Sequence, residues 1–298
     1  MKFAIIGASS MIAVQSIKQL EQEKDVQIIK ADLGGENPID LTNSQSVETF
    51  FKDHDFDWAI LFSAYTDVNG AEKQRDDKQG ICWKINVDGV RNISNACKKY
   101  NRKLFFFSTD FVFDGTGGPY KEEAEVGPDF KKVSWYGITK IEAEKIIQQN
   151  LKAEDFIILR ISYPYSGVDT GKEDLVLRTL HYFQKEGKIY PMYDDQKITP
   201  TFIADIEPAI ISLVKSGASG IYHLASATTT TQYEFAKKML EHATGMSVEI
   251  EKGSLKEALT QPGSTPRPLN GGLLVDKLKT KGVSITNWDK GIQEIPTV

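Results

Sequence analysis

Short apolar runs alternate with longer segments of helical periodicity through the first half of the chain. The runs cover residues 2–6, 26–31, 58–62, 104–107 and 156–161. Each run has the length and the apolar content of a buried strand, whereas residues 81–100 repeat apolar positions every three or four residues, as a helix does. Strands that alternate with helices predict an α/β fold, namely a doubly wound parallel sheet with helices on both faces.

The first run leads into a turn of small residues. It ends at Gly7, and a helical pattern begins near Met11. A strand, a tight turn and a helix in this order form the first unit of a Rossmann fold, in which the free amides at the helix N-terminus face a pyrophosphate. The segment predicts a dinucleotide cofactor that contacts Gly7, Ser9, Ser10, Met11 and Ile12. On this segment alone, a plain strand-to-helix turn is an equally good interpretation.

Two further residues bear on the choice of cofactor. Asp32 ends the second run, where a carboxylate can bind an adenosine ribose hydroxyl and would repel a 2′-phosphate, so it favours NADH over NADPH weakly. Ser10 stands where such turns often have glycine. Its Cβ would crowd the cofactor, or would strain a residue at positive φ by about 1–2 kcal/mol, although its hydroxyl could instead bind a phosphate. Both NADPH and NADH stay open.

Candidate chemistry follows the fourth apolar run. Ser108, Thr109 and Asp110 come where the strand ends, which is where open α/β sheets bind ligands. Tyr136 and Lys140 are four residues apart at the start of a helical pattern and therefore share one face. A neighbouring ammonium would lower the pKa of the phenol from about 10, and Thr109 would hold a carbonyl or alcohol oxygen beside it. The spacing alone is also typical of a surface tyrosine and a solvated lysine.

Composition narrows the classes of partner. The chain has 36 basic and 41 acidic residues, a net charge of -5 and no dense basic run, which argues against nucleic acid or an anionic membrane as the main partner. Two cysteines give no disulfide framework, and the four histidines show no metal-ligand spacing. No apolar run reaches transmembrane length, and a strand rather than a signal peptide opens the chain, so we expect a cytoplasmic protein.

Two motifs carry a resemblance to a known family. Residues 108–115 read Ser-Thr-Asp-Phe-Val-Phe-Asp-Gly, and residues 136–140 read Tyr-Gly-Ile-Thr-Lys. They resemble motifs of the extended short-chain dehydrogenase/reductases, most closely of the dTDP-4-dehydrorhamnose reductases, which have tyrosine at the position of Phe111. The resemblance implies that Thr109 is the catalytic hydroxyl and Tyr136 the acid–base residue. Lys140 would assist the tyrosine and bind the nicotinamide ribose.

About a dozen shorter matches extend this resemblance in order along the chain. They imply that the cofactor also contacts Leu41, Ser63, Ala64 and Tyr65, and that the substrate contacts Thr66, Val68, Asp110, Phe111, Tyr163 and Arg267. Arg267 would bind a substrate diphosphate bidentately, although a surface arginine that orders a proline-rich turn is an alternative. Asn86 would hold its helix or a proton-relay water, or be an ordinary polar helix residue.

The resemblance implies a Rossmann-like dinucleotide-binding domain over residues 1–165 and, over most of residues 166–298, a smaller C-terminal substrate domain with some segments returning to the sheet. The expected reaction is NADPH- or NADH-dependent reduction of the 4-keto group of a nucleotide-linked 6-deoxysugar. The partner would be this small molecule, and a homodimer is an option.

Departures from the family pattern at Ser10, Asn69 and Tyr163 leave two alternatives. The chain would be a non-catalytic nucleotide-binding regulatory subunit, similar to the methionine adenosyltransferase beta subunit, or a reductase of another sugar nucleotide.

Overall fold

A six-stranded parallel sheet lies at the centre of the computed structural model, which describes residues 1–297. In chain order the strands are β1 (Lys2–Ile6), β2 (Gln27–Ala31), β3 (Trp58–Leu61), β4 (Lys103–Thr109), β5 (Phe156–Ile161), β6 (Met192–Tyr193), β7 (Lys197–Ile198), β8 (Gly220–Leu224), β9 (Thr230–Thr231) and β10 (Lys252–Gly253). The main sheet has the order β2-β1-β3-β4-β5-β8, with parallel neighbours throughout. Strand β2 lies on one side of β1, and β3, β4, β5 and β8 follow on the other side, so the strand order reverses between β1 and β3. This reversal confirms the predicted doubly wound sheet.

Helices connect the strands. In chain order they are α1 (Met11–Leu20), α2 (Ser44–Asp53), α3 (Val68–Glu72), α4 (Ile81–Trp83), α5 (Val90–Tyr100), α6 (Trp135–Asn150), α7 (Leu175–Glu186), α8 (Ile206–Lys215), α9 (Gln232–Thr244), α10 (Leu255–Ala258), α11 (Asp276–Lys279) and α12 (Trp288–Gly291). Within residues 1–297, none of these helices combines the length and the hydrophobicity that crossing a membrane requires.

Two apolar cores cover the two faces of the sheet. Successive side chains of a strand point to opposite faces, so Phe105 packs into the core that α1 and α8 cover, whereas Phe106 packs into the core that α2, α5 and α6 cover. Because both faces are buried, the strands consist almost entirely of apolar residues. This explains why the sequence shows continuous apolar runs rather than an alternating pattern.

The predicted helix over residues 81–100 is continuous but not uniform. Residues Lys84–Gly89 form a wider π-helical turn between α4 and α5. Asn86 lies in this turn and exchanges two hydrogen bonds with the backbone of Tyr65, one to its amide and one to its carbonyl, at 2.8 and 3.0 Å. Such turns are frequent at functional sites, and apolar periodicity does not reveal one.

Residues after position 165 build a third core and also complete the main sheet. The third core includes Tyr165, Leu180, Phe235 and Met239, with α7 and α9 as its main helices. The same part of the chain supplies β8 and α8 to the main sheet. The division into domains at residue 165 stays a prediction, and its last residue, Val298, lies outside the described residues.

A buried carboxylate on α6 joins three elements of the fold. Glu144 accepts hydrogen bonds from Arg160 on β5, from Nε at 2.9 Å and from Nη2 at 2.6 Å. It also accepts one from the Ser108 hydroxyl on β4 at 2.5 Å. Both members of the ion pair are only 2% exposed, so each charge depends on the other. The pair therefore fixes α6 against β4 and β5.

His223 on β8 extends this network without adding a charge. Its Nδ1 donates to the Leu274 carbonyl at 3.1 Å, so its Nε2 is free to accept from Arg160 Nη1 at 3.3 Å. Burial, together with the charge of Arg160, lowers the pKa of His223 to about 3. The imidazole is therefore neutral at physiological pH, and the only cation in contact with Glu144 among residues 1–297 is Arg160.

We predict that Arg160→Met lowers the free energy of unfolding by about 3–5 kcal/mol, because it leaves the Glu144 carboxylate buried without a partner. Lys145→Ala is the matched control, since Lys145 is exposed and forms a surface ion pair with Glu142 on α6. This control should change stability by less than about 1 kcal/mol. Urea unfolding followed by circular dichroism measures both, and equal losses for the two variants would contradict the assignment.

Candidate active site

A cavity of about 790 Å³ opens at the carboxyl ends of the central strands. Twelve of the residues predicted from the sequence line it. They are Met11, Ile12, Ala64, Thr66, Val68, Thr109, Asp110, Phe111, Tyr136, Lys140, Tyr163 and Arg267. The fold thus brings residues from β4, α6 and the C-terminal part of the chain to one cavity. Seven predicted residues lie outside its lining, namely Gly7, Ser9, Ser10, Asp32, Leu41, Ser63 and Tyr65.

The turn after β1 requires glycine at its first position. Gly7 has φ +84°, and a Cβ built there would lie only 2.6 Å from the backbone nitrogen of Ser63. Both the positive φ and the close approach of the loop after β3 exclude a side chain. The expected strain at Ser10 is wrong, because Ser10 has φ −69° and ψ 150° and caps α1 by accepting from the Ala13 amide at 3.2 Å.

Asp32 supports this turn through its backbone amides. Its carboxylate accepts from Ser9 N at 2.8 Å and from Leu33 N at 2.9 Å. Burial tends to raise the pKa of Asp32, but the hydrogen bonds from Ser9 and Leu33 outweigh it and hold the pKa below its usual range. The carboxylate is therefore ionised at neutral pH and stands at the edge of the predicted phosphate turn.

Leu41 and Tyr65 do not line the cavity themselves, although Tyr65 packs against the cluster that contains Phe111 and Tyr136. Leu41 packs into the core beneath α2 and α5, and its carbonyl accepts from Asn92 Nδ2 at 2.8 Å. Asn86 holds the backbone of Tyr65 and also donates to the Thr139 hydroxyl on α6 at 3.0 Å. The structure therefore shows Asn86 holding its helix against two neighbours, which was one of its predicted roles.

Helix α6 begins close to the end of β4 because its first turn leaves space for the backbone. Ser134 caps the helix by accepting from the Gly137 amide at 3.1 Å. A Cβ on Gly137 would meet the Phe111 carbonyl at 2.2 Å, so only glycine allows this approach. Tyr136 and Lys140 consequently lie beside Thr109 on the wall of the cavity.

Burial dominates the acid–base properties of Tyr136. It raises the pKa of the phenol above its ordinary value, the nearby Thr109 hydroxyl lowers it, and the charges of Asp110 and Cys82 raise it further. The expectation that Lys140 lowers this pKa is not met in the structure. Lys140 Nζ donates to the Phe107 carbonyl at 2.6 Å, and Lys140 is not among the groups that shift the phenol. Tyr136 is therefore a protonated group at neutral pH.

Lys140 is an unusually weak base for a lysine. Burial lowers its pKa to about 7, although the negative charge of Glu144 opposes the shift. Its Nζ lies 4.0 Å from the centre of the Phe106 ring, where a cation is stabilised by the aromatic face. A substantial fraction of Lys140 is therefore neutral at physiological pH.

Comparison with known proteins now places the chain. Residues 1–297 match the family described as RmlD substrate binding domain. The chain belongs to this family.

Relatives and solved structures agree with the RmlD assignment. A dTDP-4-dehydrorhamnose reductase from Sinorhizobium fredii is 28% identical over 99% of this chain and 96% of its own length. The crystal structure of a dTDP-4-dehydrorhamnose reductase from Clostridium acetobutylicum has a TM-score of 0.85 at 26% identity, over 99% of this chain and 98% of that chain. A dTDP-4-dehydrorhamnose reductase from Bacillus anthracis in complex with NADP has a TM-score of 0.84 at 26% identity, with the same coverage of both chains.

Two neighbouring aromatic residues of this RmlD family member, Phe111 and Tyr163, line the cavity. Phe111 packs edge-on against Tyr136, and Tyr163 lies beside Phe111, with 6.0 Å between ring centres in each pair. Tyr163 has φ +41°, a backbone conformation that costs an aromatic residue energy and is often found at functional sites. Gln196 Nε2 donates to its hydroxyl at 3.0 Å. The Tyr163 ring is therefore held in place despite a strained backbone.

Arg267 reaches the cavity from the C-terminal part of the chain. Its Nη2 donates to Asn69 Oδ1 at 2.9 Å. Asn69 itself lines the cavity and stands where the resembled family pattern has aspartate. Because an amide oxygen is neutral, Arg267 keeps its net positive charge at the cavity wall.

Sequence reasoning missed the contribution of α7 and α9 to the cavity. Additional lining residues on these helices are Leu175, Arg178, Thr179, Gln232, Phe235, Ala236 and Met239. The amphipathic pattern of α9 was visible, but it only indicated that one face is buried. For Arg178, an exposed residue on α7, the sequence offered no motif, because its position depends on how α7 packs against the rest of the fold.

We predict that Gly7→Ala abolishes cofactor binding, because the added methyl group would displace the Ser63 backbone. Gly217→Ala is the control, since Gly217 also has a positive φ but has no atom within 4 Å of an added Cβ. Both variants should lose about 1–2 kcal/mol of stability from the positive φ, and Gly7→Ala more. Titration of NADH fluorescence and thermal unfolding measure the two effects. Unchanged NADH affinity in Gly7→Ala would refute the assignment of the turn.

Proposed function

We propose that this protein reduces the 4-keto group of a nucleotide-linked 6-deoxysugar with NADH or NADPH. The observation that carries the proposal is the meeting of Thr109, Tyr136 and Lys140 in one cavity at the carboxyl edge of the sheet. The reductases that resemble this chain along its whole length support the same reaction class. The protein is then an oxidoreductase rather than a regulatory subunit without catalysis.

The residues after β1, where the strand order of the sheet reverses, fit a dinucleotide. Gly7 leaves room at the turn, α1 presents its amino end, and Met11 and Ile12 line the adjoining cavity wall. Asp32 would bind the adenosine ribose, and its ionised carboxylate favours NADH over NADPH because it repels a 2′-phosphate. The relative in complex with NADP supports a nicotinamide cofactor. When bound, such a cofactor supplies the hydride.

Tyr136 would act as the general acid. As the keto carbon is reduced, negative charge develops on its oxygen, and the phenol proton passes to that oxygen. Burial keeps the phenol protonated until this moment, which suits reduction better than oxidation. Thr109 would donate a hydrogen bond to the same oxygen and orient it. Lys140, one helical turn after Tyr136, would hold the nicotinamide ribose.

The outer cavity would hold the nucleotide part of the substrate. Arg267 and Arg178 place two guanidinium groups on its walls, and guanidinium groups bind phosphate oxygens bidentately. Tyr163 and Phe111 line the same cavity, and Phe111 packs against Tyr136, so their rings would contact the sugar. The cavity thus offers positive charge for a diphosphate and aromatic surface for a deoxysugar.

We predict that the purified protein oxidises NADH, and NADPH more slowly, in the presence of dTDP-4-keto-6-deoxysugars. Tyr136→Phe should lower kcat by about 100-fold or more, because it removes the general acid, and should leave cofactor affinity unchanged. Tyr100→Phe is the control, since Tyr100 lies on α5 and bonds to Glu48 away from the cavity. Loss of absorbance at 340 nm measures turnover by the wild-type protein and by both variants.

Three results would count against this proposal in different ways. A fully active Tyr136→Phe would refute the mechanism. Absence of turnover with the cofactor still bound, together with a stoichiometric complex with a larger enzyme, would favour the regulatory subunit. Failure to bind either cofactor would refute the oxidoreductase assignment altogether.

A further inference from the structure

Asp110 is a buried carboxyl group beside the reactive residues that the mechanism above leaves without a role. It directly follows Thr109, is 1% exposed and lines the cavity. Among residues 1–297 no lysine, arginine or histidine forms an ion pair with it. A buried carboxylate without an ion-pair partner costs free energy, so the protonation state of Asp110 affects the site.

Hydrogen bonds distinguish the two oxygen atoms of Asp110. Oδ2 accepts from the Ser162 hydroxyl at 2.7 Å, and Oδ1 accepts from the Thr109 hydroxyl at 3.3 Å. Ser162 is itself anchored, because its amide donates to the Thr201 hydroxyl at 3.0 Å. The carboxyl group is therefore fixed with Oδ2 toward the loop after β5 and Oδ1 toward Thr109.

The hydroxyl of Thr109 has a single hydrogen to donate. Thr109 Oγ1 already accepts from the Phe111 amide at 3.2 Å. While Asp110 is ionised, the hydroxyl hydrogen of Thr109 points to Oδ1 and is not available to a substrate oxygen. When Oδ1 carries a proton, Oδ2 still accepts from the Ser162 hydroxyl, but the hydrogen bond between Oδ1 and the Thr109 hydroxyl reverses its direction. Asp110 then donates to Thr109, whose own hydrogen becomes free.

We propose that Asp110 is a positioning residue whose protonated form turns the Thr109 hydroxyl toward the keto oxygen of the substrate. The proposal rests on the proposed function and deepens it, since it makes the orienting hydroxyl depend on a proton held next to it. Asp110 itself does not need to touch the substrate.

The surroundings of Asp110 favour its protonated form. Burial raises its pKa to about 6, although hydrogen bonds from Ser162 and Thr109 oppose the shift. The ionisable groups that face it are two phenols, Tyr136 from α6 and Tyr163 after β5, and both are neutral at this pH. Gly271 also lies near it, since a Cβ built on Gly271 would be 3.7 Å from Asp110 Oδ2. Asp110 therefore holds its proton below about pH 6 and loses it as the pH rises through that value.

Two measurements on the full chain test the proposal. The first is the NMR titration of aspartate carboxyl ¹³C, in which the resonance absent from Asp110→Asn belongs to Asp110. We expect a midpoint near pH 6. Ser162→Ala should move the midpoint upward, because it removes a bond that stabilises the ionised form.

The second measurement is the pH dependence of kcat for keto-sugar reduction. The wild-type kcat should fall as the pH rises through the midpoint found by NMR, and Ser162→Ala should shift this fall to higher pH. Asp110→Asn should lose the fall, since its amide donates permanently to Thr109 while its oxygen accepts from Ser162. Asp110→Ala should lower kcat at every pH by about 10-fold or more, with a smaller change in KM.

The outcomes separate this proposal from the proposed function. A titration midpoint below pH 5, or an Asp110→Asn variant that keeps the wild-type fall in kcat, would overturn the role of Asp110. A wild-type protein that reduces no keto-sugar would overturn the proposed function, whatever the midpoint.

Discussion

The candidate active site depends most on the buried contacts of the Glu144 carboxylate. Glu144 lies on α6, one helical turn after Lys140, and binds Ser108 on β4 and Arg160 on β5. Thr109 follows Ser108 directly, and Ser162 lies two residues after Arg160. One buried ion pair thus sets the distance between the helix that carries Tyr136 and the two strands that carry the polar groups around it. The pair gains little net stability over apolar packing, but breaking it is expensive, so it acts mainly on geometry.

The same packing that positions α6 also determines its chemistry. Tyr136 and Lys140 are taken out of water together, which raises the pKa of the phenol and lowers that of the ammonium. The phenol is therefore a stable proton donor, and the lysine is close to its titration point. Burial also shifts the pKa values of Asp110 and Tyr163 in the same cavity upward. A reductase needs a proton to be available beside the carbonyl oxygen, and the buried, protonated phenol of Tyr136 would supply it.

Local sequence signals predicted the sheet, and they predicted that Thr109, Tyr136 and Lys140 come together where β4 ends. Strands buried on both faces are continuous apolar runs, and Gly7 marked the turn because its conformation is excluded for other residues. Properties that arise from packing were not predictable. The alternatives for Ser10 stayed open, because sequence does not show that its hydroxyl caps α1 and that its φ is negative. The pKa of Tyr136 was misjudged because the spacing to Lys140 says nothing about burial. Arg178 was missed because only the docking of α7 brings it to the cavity.

Deuterium transfer tests the central claim most directly, which is that the cavity performs hydride transfer to a sugar carbonyl. NADH labelled with deuterium at the transferable position of C4 would be incubated with the protein and a dTDP-4-keto-6-deoxysugar, and the sugar product would be examined by NMR. The account predicts deuterium at the new carbinol carbon, C4 of the sugar, in a single configuration. The reason is that the cavity would hold the nicotinamide ring against one face of the substrate. Product without deuterium at this carbon, or deuterium in both configurations, would contradict it.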